Sequence, residues 1–186
     1  MLRAIRSLPH LSFGQKKKHE CTVASCTMSL QLTLNAQERS MILVPKENEH
    51  HNFSSFFIQS VNTSSDQKEF LFAELNNNQT INYSILKKSS TEIEFRPTGS
   101  QYNPSFTLKR IGKEYQITIG RSTLTWKPKL FEDGYVCTLH RHILAQANFE
   151  SDDDLGSIQV FPEGRVHDTF LIPTALMILY NHHFHH

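Results

Sequence analysis

The sequence predicts an all-β domain with one helix: a closed antiparallel β-barrel of about twelve strands around a buried hydrophobic C-terminal helix. The first observation behind this prediction is a series of short strand-like runs from residue 40 onward, separated by turn residues at intervals of roughly 8–12 residues. The second is the segment 168–182, which is apolar on nearly every side. The third is the length of that segment, which falls short of the roughly 20 residues that a bilayer span needs.

The strand-like runs share an alternation of apolar and polar residues. It is cleanest in 91–96, where Ile93 and Phe95 alternate with charged residues, as in a half-buried strand. Gly, Pro, Asn and Asp residues, which favour turns, separate the runs. The predicted strands are 41–44, 53–61, 69–75, 81–87, 91–96, 105–110, 115–120, 123–127, 135–139, 143–149 and 156–160.

The last element is predicted to be a helix that starts at Asp168 or Thr169, either of which is a suitable N-cap. Pro173 is expected in its first turn, where a missing N–H costs little. Between residues 170 and 180 the chain carries almost no polar side chain. A helix that is apolar all round must be buried all round, so we expect a sheet curled around it, which also removes the sheet edges.

Several stretches of the second half, taken in order, resemble the tubby C-terminal-like superfamily, which includes tubby domains, phospholipid scramblases and LURP-one-related proteins. They are Ile119-Gly-Arg-Ser-Thr-Leu-Thr-Trp126, Ile143-Leu-Ala-Gln-Ala, Gly156-Ser-Ile-Gln-Val160 and Asp168 at the start of the helix. The resemblance covers residues 40–182, with 41–88 matching by general strand character. It implies a closed barrel of about twelve strands around a hydrophobic helix near the C-terminus.

A lipocalin-like, or calycin-like, barrel is the alternative fold, and it would carry a small apolar ligand in an open lumen. In that fold the helix lies outside the barrel, so 170–180 would need a packing partner for every face. The position of this helix therefore separates the two alternatives.

Charge divides the chain into an arm and a body. Residues 1–27 carry five basic residues and one acid, whereas the rest carries 14 basic and 17 acidic residues. We therefore expect a basic N-terminal arm at 1–39, either disordered or targeting, the barrel at 40–182 and a His-rich tail at 183–186. Three cysteines do not make a disulfide framework, which favours the cytoplasm, with peripheral membrane contact as one option. A mitochondrial location is the alternative if residues 1–20 act as a presequence.

The residues that could carry chemistry do not form a recognisable catalytic or metal site. No nucleophile-elbow, metalloprotease or nucleotide-binding motif is present. Cys137 lies near His140 and His142, but Cys137 and His140 would point to opposite faces of a strand, so Cys137 is predicted to be a core thiol. His182 and His186 have helical spacing for a divalent ion, yet a solvated tail is the expected outcome. We predict no enzymatic activity, no cofactor and no metal.

Basic residues concentrate in 105–129, where only Glu114 opposes them. They are Lys109, Arg110, Lys113, Arg121, Lys127 and Lys129. Adjacent strands could gather them into one patch, which would attract anionic headgroups by about 1 kcal/mol per charge. Tubby domains bind phosphoinositides through Lys and Arg on the barrel, and this is what the resemblance implies for this region. Lysines that keep strand edges soluble are the alternative.

The predicted function is therefore a binding module that contacts an anionic membrane surface or a protein partner through its outer surface. The net charge of +1 does not indicate a nucleic-acid partner. No segment is long and apolar enough to predict a transmembrane span. The sequence does not indicate an oligomeric state.

Overall fold

The computed structural model describes residues 27–35, 39–46, 54–61, 68–75, 82–99, 104–149 and 156–184. These residues form twelve strands, a short 3-10 helix at Pro162–His167 and one α-helix, α1, at Asp168–Phe184. The strands are β1 Met28–Asn35, β2 Ser40–Pro45, β3 Ser55–Val61, β4 Glu69–Leu75, β5 Asn82–Lys87, β6 Glu92–Thr98, β7 Phe106–Ile111, β8 Glu114–Ile119, β9 Ser122–Pro128, β10 Gly134–Leu139, β11 His142–Asn148 and β12 Ser157–Val160.

The strands form a single closed sheet. Each strand pairs antiparallel with the strands before and after it in sequence, and β1 pairs with β12 to close the barrel. At the closure Met28 lies opposite Val160, and Gln31 lies opposite Ser157. Closure gives each of these strands a neighbour on both sides, so none of them is an edge strand. The predicted closed antiparallel barrel with one C-terminal helix is confirmed.

The barrel begins earlier in the chain than predicted. β1 lies inside the segment 1–39 that the charge pattern assigned to an N-terminal arm. Its residues alternate as in the other strands, with Met28, Leu30 and Leu32 buried. The same alternation stands in the sequence, but the prediction grouped 28–35 with the basic residues that precede them. Residues 1–26, including the predicted presequence, lie outside the described residues.

α1 fills the lumen of the barrel. All residues from Phe170 to Tyr180 are buried, and they share one core with the inward side chains of the strands. Phe106 of β7 meets Phe170 edge-on at 5.1 Å, and Phe70 of β4 meets Tyr180 at 5.0 Å between ring centroids. The external helix that the lipocalin-like alternative requires is therefore not what the structure has.

The bounds of α1 differ from the prediction at both ends. The helix starts at Asp168, directly after the 3-10 helix, so Pro173 lies inside α1 rather than in its first turn. The N–H that Pro173 lacks would have bonded to the carbonyl of Thr169, which is half-buried near the start of the helix. At the other end α1 reaches Phe184, so the predicted tail at 183–186 begins within the helix.

The direction of α1 distinguishes the two ends of the barrel. We call the end at which α1 begins the upper end, and the end at which it terminates the lower end. β12 leads through the 3-10 helix into α1, so β12 ends at the upper end. Because neighbouring strands are antiparallel, even-numbered strands run toward the upper end and odd-numbered strands run toward the lower end. An inward-facing residue at the last position of a strand therefore lines a mouth of the barrel instead of its core.

Replacing Thr174 with valine is expected to lower the stability of the domain. The indole N–H of Trp126 donates to Thr174 Oγ1 at 3.1 Å, and both residues are fully buried. Valine keeps the shape but leaves this N–H unpaired, which costs about 1–3 kcal/mol. Thermal unfolding measures the effect as a lower melting temperature, by about 2–4 °C per kcal/mol in a domain of this size. T123V, on the exposed face of β9, is the control, and equal melting temperatures for the two variants would contradict the structural role of this hydrogen bond.

Candidate functional site

A cavity of about 210 Å³ lies at the lower end of the barrel, beside the last turns of α1. Two cationic side chains line it, Lys87 at the end of β5 and Arg110 near the end of β7. The rest of its polar lining comes from Ser90, Thr91, Tyr115, Tyr135, Asn181 and His182. The lumen is closed above this cavity by α1, so its ligand would have to enter from the lower end.

The positions of these two cations follow from the alternation of inward-facing and outward-facing side chains along a strand, which we call the phase of a residue. Lys87 has the same phase as Ile85, and Arg110 has the same phase as Leu108, both of which are buried core residues. At the last inward position of each strand the core has ended, so the side chain faces the mouth of the barrel. Backbone contacts bring Lys68 to the same place, since the N–H of Lys87 donates to the Lys68 carbonyl at 3.1 Å.

The cations in this mouth repel one another. Burial lowers the pKa of the Lys87 ammonium, and the positive charges of Lys68 and Arg110 lower it further. The Arg110 guanidinium lies over the Tyr115 ring at 5.8 Å from its centroid and donates to the Gly112 carbonyl at 3.2 Å. Within the described part of the chain, neither Lys87 nor Arg110 pairs with an acid. Clustered cations without a counter-charge are the arrangement that an anion stabilises.

A pair of exposed apolar residues lies at the same end. Leu130 and Phe131 occupy the loop between β9 and β10 and are 90% and 97% exposed. Ile111, at the lower end of β7, is also exposed. An adjacent leucine and phenylalanine in open solvent forgo the free energy that burial of their side chains would supply. We call Lys87, Arg110, Lys113, Leu130 and Phe131 together the basic–apolar face.

The structure does not gather the six predicted basic residues into one patch. Arg110 lines the cavity, and Lys113 is exposed in the turn after β7 at the same end. Lys109 lies on the outer face of β7, and Arg121 lies in the turn between β8 and β9 at the upper end. The other two are already paired: Lys127 with Glu114 at 3.8 Å, and Lys129 with Glu132 at 2.7 Å.

Sequence reasoning missed Lys87, Lys68, Leu130 and Phe131. The signal for Lys87 was its phase, because it continues the alternation of Tyr83 and Ile85 at the end of a strand. The signal for Leu130 and Phe131 was an apolar pair set in a turn.

The predicted core thiol is confirmed as buried. Cys137 is fully buried, and burial raises the pKa of its thiol well above the usual range, whereas His140 is exposed in the following turn. His182 stacks on Phe149 at 3.8 Å between ring centroids. His186 lies outside the described residues. Among the residues that the structure describes, no three His, Cys, Asp or Glu side chains are grouped to hold a metal ion.

No helix within the described ranges has the length and apolar character needed to cross a membrane. Comparison with protein-family models, with curated proteins and with solved structures finds no match.

Proposed function

We propose that this domain is a non-enzymatic binding module that docks the lower end of its barrel on an anionic phospholipid surface. One observation carries the proposal: the exposed pair Leu130 and Phe131 lies at the same end as the cations Lys87 and Arg110. These two cations lack an acid partner among the described residues. Apolar side chains that enter the lipid interface beside cations that meet phosphates are a recurrent means of peripheral membrane binding.

The two parts of the basic–apolar face supply different contributions. Each cation near an anionic surface contributes about 1 kcal/mol, and this contribution falls as salt is added. Each large apolar side chain that leaves water contributes about 1.5–3 kcal/mol, and this contribution is insensitive to added salt of ordinary concentration. Stable anchoring generally needs two such signals together, which is what this end of the barrel combines.

The resemblance to the tubby C-terminal-like superfamily supports the same proposal. Tubby domains bind phosphoinositides through basic residues on the barrel. Because α1 fills the lumen of this barrel, a ligand would bind on the outside of the domain. A small-ligand carrier finds less support, because Phe170–Tyr180 occupy the space that an apolar ligand would need. The location that follows from the proposal is the cytoplasmic surface of a membrane.

Vesicle sedimentation with the full chain tests the proposal. We expect binding to phosphatidylcholine vesicles that contain a phosphoinositide, weaker binding when salt is raised, and little binding to phosphatidylcholine alone. The variant K87Q/R110Q removes two charges from the mouth and should bind about thirtyfold more weakly, at about 1 kcal/mol per charge.

The matched control is K46Q/R121Q, which removes the same charge from the upper end. It should bind like the parent chain. If both double variants lose the same vesicle affinity, binding does not depend on the basic–apolar face. If the parent chain binds both kinds of vesicle equally and without dependence on salt, the proposal as a whole is rejected. If the chain binds no vesicles, a lipid surface is rejected as the partner of this face, and a protein partner remains as the alternative.

A further inference from the structure

The loop between β9 and β10, residues 129–133, is fixed at both ends by backbone hydrogen bonds. At its base the Lys129 N–H donates to the Gly134 carbonyl at 3.0 Å. On its other side the Phe149 N–H, directly after β11, donates to the Asp133 carbonyl at 3.1 Å. A short loop that is bonded at both ends keeps little conformational freedom in its backbone.

The start of β10 brings the base of this loop against β11. Gly134, the first residue of β10, has a φ of +150°, and a Cβ atom there would collide with the carbonyl oxygen of Ala147. Glycine is the residue that permits so close an approach of two backbones. The loop therefore leaves the barrel from a fixed position beside β11.

The side chain of Lys129 lies across the loop. Its Nζ donates to Asn148 Oδ1 at 2.6 Å and to Glu132 Oε2 at 2.7 Å. The first bond joins the loop to the end of β11, and the second joins the first residue of the loop to its fourth. The Lys129 side chain is 14% exposed, so solvent screens these bonds less than those of a fully exposed ion pair. The hydrogen bond from Lys129 and its positive charge lower the pKa of the Glu132 carboxyl.

Asn148 is itself held in place by β12. Its Nδ2 donates to Ser157 Oγ at 3.4 Å, and Ser157 is buried. This bond turns the amide oxygen of Asn148 toward the Lys129 ammonium. The loop is thereby connected to two neighbouring strands of the closed barrel. We call Lys129, Glu132 and Asn148 together the loop clamp.

The loop clamp brackets the exposed pair Leu130 and Phe131. Both residues lie between Lys129 and Glu132 in the chain, and these two flanking residues are bonded to each other. The backbone therefore keeps the pair pointed away from the barrel, which accounts for exposed fractions of 90% and 97%. Side chains that are already in place before binding lose less conformational entropy when they meet a partner.

We propose that Lys129 is a positioning residue, which through the loop clamp holds Leu130 and Phe131 in the geometry that docks on a lipid surface. This inference rests on the proposed function of the basic–apolar face and adds to it a residue that acts through other residues. Among the six predicted lipid-binding residues Lys129 has a separate role. Its charge is balanced by Glu132, and its ammonium donates to Asn148 and Glu132 instead of to a headgroup.

The neutral variant N148A tests the inference in the full chain, because it removes one acceptor of the loop clamp without changing any charge. We expect faster amide hydrogen exchange in residues 130–133. Binding to phosphoinositide-containing vesicles should be about three- to tenfold weaker, which is the cost of ordering about one side chain on binding. The dependence of binding on salt should stay as in the parent chain, since the cations are unchanged. The matched control is Q146A, which removes an amide from the same face of β11 and should behave like the parent chain.

Two lysine variants separate the loop clamp from a simple loss of charge. K129M should accelerate hydrogen exchange in the same amides. K127M removes an equal charge two residues earlier, from an exposed lysine of β9 that pairs with Glu114, and should leave exchange in the loop unchanged. Equal exchange rates in the loops of K129M and K127M would overturn the role of Lys129.

The background L130S/F131S distinguishes positioning from a general loss of stability. If the loop clamp acts through the apolar pair, N148A causes no further loss of vesicle affinity in this background, because the effects of residues that act as a unit do not add. A loss of the same size in both backgrounds, unchanged exchange in residues 130–133, or parent-like vesicle binding of N148A would each overturn the inference.

Failure of this inference can be told apart from failure of the proposed function. If the parent chain and N148A bind vesicles equally well, the positioning role is rejected and the proposed function stands. If the parent chain binds no vesicles, the proposed function is rejected, and so is a role of Lys129 in docking on lipid, whatever the exchange rates are.

Discussion

The double variant L130S/F131S is expected to lose about ten- to hundredfold in affinity for anionic vesicles. Both side chains are almost fully exposed in the loop between β9 and β10, so their loss should cost the fold little. On a vesicle both side chains leave water. If each gains half of the full burial energy of about 1.5–3 kcal/mol, the pair contributes about 1.5–3 kcal/mol. Sedimentation at several salt concentrations measures the loss, which should persist when salt has already weakened the contribution of the cations.

The matched control places the same change at the other end of the barrel. Leu75 and Val166 are exposed apolar residues of the upper end, and L75S/V166S should bind vesicles like the parent chain. Equal losses in the two variants would show that general surface hydrophobicity, rather than the loop at the lower end, drives binding. An unchanged L130S/F131S affinity would remove the apolar half of the proposal.

Replacing Leu176 with alanine is expected to produce the largest loss of stability among the variants considered. Leu176 is 0% exposed in the middle of α1, surrounded by the inward side chains of the barrel. Leucine-to-alanine changes in cores cost about 2–5 kcal/mol because a cavity remains where the side chain was. For a cost of about 3 kcal/mol, the melting temperature should fall by about 6–12 °C.

The control for this change is V166A, which removes two methyl groups from an exposed residue of the 3-10 helix. Its melting temperature should stay within about 2 °C of the parent, as expected for surface changes of about 0.5 kcal/mol. A small effect of L176A would contradict the placement of α1 in the lumen, because a helix on the outside of a barrel has a face on which such a truncation costs little. Below its melting temperature L176A should still bind vesicles.

The strands and the helix could be predicted because their signals are local. The alternation of Ile93 and Phe95 with charged neighbours specifies a half-buried strand whatever its partners are. The apolar surface between residues 170 and 180 specifies burial on all sides, and closure of the sheet around the helix is the arrangement that provides it. β1 carries the same local alternation and was missed only because 28–35 were grouped with the basic residues before them.

The basic residues were harder to place, because charge in a sequence window does not specify an end of the barrel. Lys113 and Arg121 are close in the chain, yet β8 carries them to opposite mouths. Lys87 and Arg110 are far apart in the chain, yet the antiparallel order of β5, β6 and β7 brings them to one cavity. A search for clusters along the sequence therefore finds the first pair and misses the second.

Local patterning is thus enough to specify the all-β barrel with a buried helix, since period and apolarity are properties of each segment alone. The cavities at the two ends of the barrel depend instead on strand order, register and the direction of α1, which are set when distant segments pack. Glu74 and Asp168 line a cavity at the upper mouth, and Lys87 and Arg110 line the cavity at the lower mouth, because closure of the barrel brings the strand ends into two rings. Which residues share a ring is a property of the closed barrel, and so is the set of side chains that lines each mouth.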